Sequence, residues 1–106
     1  MIVAIMNLDA FRGSIAGDAP PAGASLALQA LWWDAKGDWN KAHECAQAQE
    51  DDEGNWVHAY LHRREGDAAN AGYWYRRVRK DPATMPLAAE WDAIARALLG
   101  AGVERP

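Results

Sequence analysis

Apolar residues in this chain recur at intervals of three and four, the period of helices with one face turned inward, and never alternate with polar ones over a full strand. Leu8, Phe11 and Ile15 mark a short helix over residues 7–16. The segment Gly17-Asp18-Ala19-Pro20-Pro21-Ala22-Gly23 breaks it, because paired prolines lack donors and disfavour helix in the preceding residue. Ser25 then reads as the N-cap of a helix with Leu28, Leu31, Trp32 and Ala35 on one side. Gly37 supplies its left-handed stop, and Asp38 caps a successor over about 39–49 that turns Trp39, Ala42, Cys45 and Ala46 toward a neighbour. The acidic run Glu50-Asp51-Asp52-Glu53-Gly54 interrupts the pattern, so the next helix is expected over 55–65, beginning near Asn55. Gly66 ends it and Asp67 caps a helix over 68–80, with Ala71, Trp74, Tyr75 and Val78 on one face, closed by Asp81-Pro82. A last helix over 86–99 carries Leu87, Trp91, Ile94, Ala95 and Leu98, with Gly100 and Gly102 expected to stop it. Abundant alanine and leucine with few β-branched residues agree with an all-α fold class.

A length of 106 residues suits one core, and residues 1–106 are read as a single domain. Half the residues are hydrophobic and a quarter charged, which excludes a disordered chain. The net charge of −4 argues against general nucleic-acid binding. A lone Cys45 excludes an internal disulfide framework and reads as a small buried hydrophobe. No apolar run approaches the ~18 residues of a membrane span, and the opening Met-Ile-Val-Ala-Ile-Met lacks the basic residues of a secretory signal. A cytoplasmic protein with no membrane partner is the expectation.

The corners Gly37-Asp38 and Gly66-Asp67 stand 29 residues apart, and small residues repeat around them: Ala30 and Ala59 before, Ala42 and Ala71 after. Self-similarity on this scale points to stacked helical hairpins, in which one unit buries its apolar stripe only against another. A small residue seven positions before Gly-Asp and an alanine shortly after resemble the tetratricopeptide repeat. Ala71-Gly72-Tyr73-Trp74-Tyr75-Arg76-Arg77 is similar to the second helix of the related Sel-like repeats, and the chain as a whole resembles a group of short uncharacterised bacterial proteins. The resemblance implies repeat units over about 24–53 and 54–83, flanked by helices 7–16 and 86–99. It leaves a right-handed superhelix and a compact bundle both open. It also implies a protein-interaction scaffold, and its register would turn Trp56, Tyr60 and Arg63 toward an inner, ligand-facing groove. Periodicity instead groups Val57, Tyr60, Leu61 and Arg64.

Three features carry candidate chemistry. His58 and His62 are one helical turn apart and share a face, the spacing of a two-histidine metal site, to which His43, Asp34, Glu44, Glu65 or Cys45 would have to add ligands. The intervening Ala-Tyr-Leu lacks the glutamate of a zinc protease, so both imidazoles are expected to pack between helices, with metal binding the alternative. Six tryptophans are the second feature; Trp32 and Trp33 diverge by about 100° and cannot both face one core stripe. Third, Arg63, Arg64, Arg76, Arg77, Arg79 and Lys80 make the second hairpin basic against an acidic 50–53 run. Their charges suit either a solvated face or an acidic ligand group. Ser14, Ser25 and Thr84 lack a nucleophile context, and no phosphate loop, paired-cysteine zinc pattern or dinucleotide fingerprint is present.

The expected function is therefore a non-enzymatic interaction module without a cofactor. It would use Trp56, Tyr60, Arg63, Tyr73, Arg76 and Arg77 to hold a protein or acidic peptide, with self-association through uncapped terminal faces as the simplest version. The alternative is a small-ligand or metal-binding protein centred on His58, His62, Tyr73 and Arg77.

Overall fold

Side chains that accept from orphan backbone N–H groups set the starts of the first five helices. The computed structural model describes residues 6–101. Its six helices are α1 (Leu8–Ser14), α2 (Leu26–Ala35), α3 (Trp39–Ala48), α4 (Asp52–Arg64), α5 (Ala68–Arg77) and α6 (Leu87–Ala101), with no strand among the described residues. Asn7, Ser25, Asp38, Asp51 and Asp67 each accept from the N–H three residues on, at 2.8–3.1 Å. Each such cap is worth about 1 kcal/mol. No helix among the described residues is long and apolar enough to cross a membrane.

The two glycine–aspartate corners are the same turn made twice. Gly37 has φ 90° and Gly66 φ 92°, a region that favours glycine. The N–H of Asp38 donates to the Trp33 carbonyl and that of Asp67 to the His62 carbonyl, both at 2.9 Å. Each corner therefore folds a hairpin, α2 on α3 and α4 on α5, and the second stacks on the first through α3 and α4. Ala30, Ala42, Ala59 and Ala71, the repeated small residues, are all buried.

Several boundaries differ from those read in the sequence. Helix α4 begins at Asp52 rather than near Asn55, because Asp51 caps it and the charges of Asp52 and Glu53 favour its positive end. Helix α5 stops at Arg77 rather than 80: Val78 leaves the helix, Arg79 takes φ 60°, and the Lys80 N–H returns to the Tyr75 carbonyl. Helix α1 is shorter than expected at both ends, and α6 continues through Gly100. Ala35, expected on the apolar face, is exposed in the last turn of α2. Gly102 and most of the opening apolar run lie outside the described residues.

Helix α4 is the centre of the molecule, touching α2, α3, α5 and α6. Residues 57–62 are buried without interruption, which reconciles the two candidate stripes: this helix has no single inward face. Helix α6 lies against α2 and α4, the first helix of each hairpin, and also against α1. There Trp91 donates from Nε1 to the Leu31 carbonyl at 2.9 Å and stacks on Phe11, with ring centroids 5.8 Å apart. Of the adjacent tryptophans, Trp32 is fully buried and Trp33 half-buried beneath Lys41, whose Nζ is 4.1 Å from the ring centroid.

The corner between α3 and α4 is held by close approach. A Cβ built on Gly54 would lie 1.8 Å from the backbone oxygen of Gln49. The Gln49 side chain meanwhile accepts from the Ala27 N–H at 2.8 Å, tying that corner to the start of α2. At Gly72, inside α5, a Cβ would meet only the tip of the Arg76 side chain, at 3.4 Å. One substitution should therefore act in opposite directions at two sites. In urea unfolding, Gly54→Ala is expected to lose about 3 kcal/mol by forcing backbone apart, whereas Gly72→Ala should hold level or gain about 0.5 kcal/mol from helix propensity.

Candidate functional site

Two of the residues expected to bind a partner are engaged within the fold. Tyr60 is buried and donates from its hydroxyl to Asp34 Oδ2 at 2.9 Å, while Arg64 Nε lies 3.0 Å from Oδ1. Burial, followed by the neighbouring Asp34 charge, pushes the Tyr60 hydroxyl pKa upward. Burial also raises that of Asp34. Arg63 donates to the buried Glu90 of α6 at 2.7 Å and to the Met85 carbonyl; Tyr75 donates to the other Glu90 oxygen at 2.5 Å. Of the face of α4 that the resemblance would open to a ligand, Tyr60 is thus engaged by α2 and Arg63 by α6. Trp56 is half-buried, with the Lys80 ammonium 4.2 Å from its ring centroid.

Tyr73, Arg76 and Arg77 are different. They fall at i, i+3 and i+4 on the outer side of α5, and all three are exposed. Arg77 donates from one guanidinium nitrogen to the Tyr73 hydroxyl at 2.9 Å, and its guanidinium carbon lies 5.3 Å from the Trp74 ring centroid.

Facing inward from the same region is a histidine cluster. His58 and His62 occupy successive turns of α4, and His43 of α3 meets them across the hairpin junction. His43 Nε2 and His58 Nε2 are 3.0 Å apart, so one ring donates the proton that the other accepts. A ligand nitrogen from each of the three rings lies within 4.8 Å of the other two. Tryptophans close the cluster on two sides: Trp39 stacks on His43 with centroids 4.9 Å apart, and Trp74 on His58 at 4.0 Å. Trp39 is itself pinned by a 2.9 Å hydrogen bond from Nε1 to the Leu61 carbonyl. Outside the ring, Glu65 Oε2 lies 2.7 Å from His62 Nδ1.

Burial, then the nearby His43 and His62, lowers the His58 pKa to about 4; burial and His62 lower that of His43. Cys45, two residues beyond His43, packs against the core instead, and burial pushes its thiol pKa up. A shallow cleft of about 330 Å³ elsewhere, lined by Arg12, Asp34, Tyr60, Arg64, Trp91 and Asp92, has its charges paired internally, Arg12 with Asp92 and Arg64 with Asp34.

The sequence pairs His58 with His62 by spacing but leaves His43 only one of five optional additions. Its i, i+4 relation to Trp39 is a usable signal, since both then lie on the side of α3 facing α4. The roles of Trp39 and Trp74 as walls depend on how the hairpins stack, which no local pattern carries.

The cluster has a pH consequence. Between about pH 6.5 and pH 4 the unfolded chain binds a proton at His58 that the folded protein refuses, so stability should fall as pH falls through that window. The loss attributable to His58 should be on the order of 1–2 kcal/mol after solvent screening. Denaturant melts from pH 7 downward should show it, with a shallower decline in His58→Gln.

Compared with protein-family models, with curated proteins and with solved structures, the chain matches none.

Proposed function

We propose that the protein is a non-enzymatic binding module whose outer α5 face, Tyr73 with Arg76 and Arg77, receives a carboxylate-rich segment of a protein partner. The observation that carries this reading is how the fold distributes its arginines. Arg12, Arg63, Arg64 and Arg79 are each paired with a carboxylate: Asp92, Glu90, Asp34 and Asp52. Among the described residues, Arg76, Arg77 and Arg96 have no such pair, and the first two sit together beside an exposed tyrosine. An unpaired guanidinium keeps its donor fork for an incoming carboxylate.

Preorganisation supports the same reading. Arg77 is steadied by Tyr73 and Trp74, and Trp74 by His58 beneath it. Little side-chain entropy then remains to be lost on binding. Tyr73, 45% exposed, supplies apolar area next to the charges, the combination found at interface hot spots. A stack of short hairpins, tetratricopeptide-like in its corners, is a suitable rigid support. In this reading Tyr60 and Arg63 hold the scaffold together, and the partner touches α5.

The test is fluorescence anisotropy with a fluorescein-labelled oligoglutamate peptide bearing a leucine anchor. The wild-type protein should bind it saturably, more weakly as salt rises. Arg76→Glu/Arg77→Glu should weaken binding by about tenfold or more, the loss of a hot-spot contact. Equal affinity in the two proteins would refute the proposal. Sedimentation of the same pair identifies the homo-oligomeric version, a dimer that the charge reversal dissociates.

A further inference from the structure

We infer that His43, His58 and His62 form a transition-metal site that joins the two hairpins, with zinc(II) or copper(II) as the ion it takes. This inference is independent of the α5 surface and rests on the geometry of the cluster. Three imidazoles from two helices converge so that a nitrogen of each lies within 4.8 Å of the others, and the His43–His58 pair is already at 3.0 Å. Ligands at ~2.0–2.1 Å around a tetrahedral ion stand roughly 3.3–3.4 Å apart. Closing the cluster onto an ion therefore asks the ring nitrogens to approach one another by about an ångström or a little more.

The donor set selects the ion. Three imidazoles with no carboxylate or thiolate among them suit zinc or copper and offer nothing to calcium or magnesium, which prefer oxygen. Cys45 faces the core and is not in the set. The surroundings match what a metal site needs outside its ligands. Glu65, 2.7 Å from His62 Nδ1, fixes that ring's orientation and leaves its Nε2 lone pair for the ion, the carboxylate–histidine arrangement that raises ligand basicity. Trp39 and Trp74 fix the planes of His43 and His58 by stacking. A second grouping, His62 with Glu65 and Asp67, is a poorer candidate. Both its carboxylates are exposed and already used, Glu65 on His62 and Asp67 as the cap of α5.

Three protein ligands leave a fourth position for water or an added ligand. Because His43 comes from the first hairpin and the other two from the second, the ion would act as a cross-link between repeat units. Folding and metal binding would then be coupled by mass action.

The experiment uses untagged protein titrated with zinc chloride by calorimetry, and with cobalt(II) and copper(II) as spectroscopic probes. One equivalent of zinc should bind, raise Tm in a concentration-dependent way, and compete with cobalt for one site. Copper should quench tryptophan fluorescence, through Trp39 and Trp74, and give a paramagnetic resonance signal with three nitrogen couplings. His43→Ala, at a half-buried position, should weaken zinc at least about tenfold and abolish the Tm rise; Glu65→Gln should weaken it about tenfold with the fold unchanged. No saturable zinc binding by the wild-type protein would overturn the inference. So would zinc affinity unaltered in His43→Ala, or a copper signal with fewer than three nitrogens, which needs no variant at all.

Discussion

A glycine at positive φ, followed by an aspartate that caps the helix after it, sets the geometry on which everything else in this molecule depends. At Gly37-Asp38 and again at Gly66-Asp67, the glycine reverses the chain and the aspartate both receives the next helix and donates its own N–H back to the last. Since the two corners are equivalent, the two hairpins leave in equivalent directions and can stack. The stack brings α3 alongside α4. Only that juxtaposition lets His43 reach His58 and His62, and lets Trp39 and Trp74 flank them from either hairpin. Two short turns thus fix the relative positions of groups that are far apart in the chain.

A second constraint is the burial of charge. Asp34 with Tyr60 and Arg64, and Glu90 with Tyr75 and Arg63, are related devices: a buried carboxylate that accepts a tyrosine hydroxyl and forms an ion pair with an arginine. Such groups add little net stability, since desolvation offsets most of the attraction, but removing one partner strands the others. Their effect is to specify which helices meet. The Glu90 set locks α6 onto α4 and occupies Arg63. On the outer face of α5, Arg76 and Arg77 pair with no carboxylate among the described residues. Trp74 touches both this face and the histidines, with Arg77 near its ring and His58 stacked on it.

Much of the architecture was legible because it is local. Periodicity, the caps Ser25, Asp38 and Asp67, and the duplicated corner are written in neighbouring residues; the caps and corners behave as read, and periodicity does so apart from Ala35 and the end of α5. What went astray was also physical. The acidic 50–53 run looks like a break by composition, yet its charges are what start α4, because carboxylates at a helix N-terminus are favourable. Arg79 ends α5 early by adopting a backbone conformation that its residue type does not advertise. Tyr60 and Arg63, expected at a ligand face, bond to Asp34 of α2 and to Glu90 of α6, contacts between distant elements that no repeat register carries. The histidine trio was two-thirds visible: spacing within α4 yields a pair, and the third member required the packing of one hairpin on the other.

The position of α6 also bears on how the molecule is made. Its contacts are among the most distant in the chain: Trp91 bonds back to Leu31, and Asp92 pairs with Arg12. Helices α1 to α5 leave the ribosome before α6, which seals the apolar side of α2 and α4. Until it arrives, the nascent chain must carry that surface bare, with Asp34 half-covered and Arg63 lacking its acid. Local hairpins can form early, but the core closes only once residues 87–101 are available, and a chain stalled before residue 87 would leave that apolar side open to chaperones.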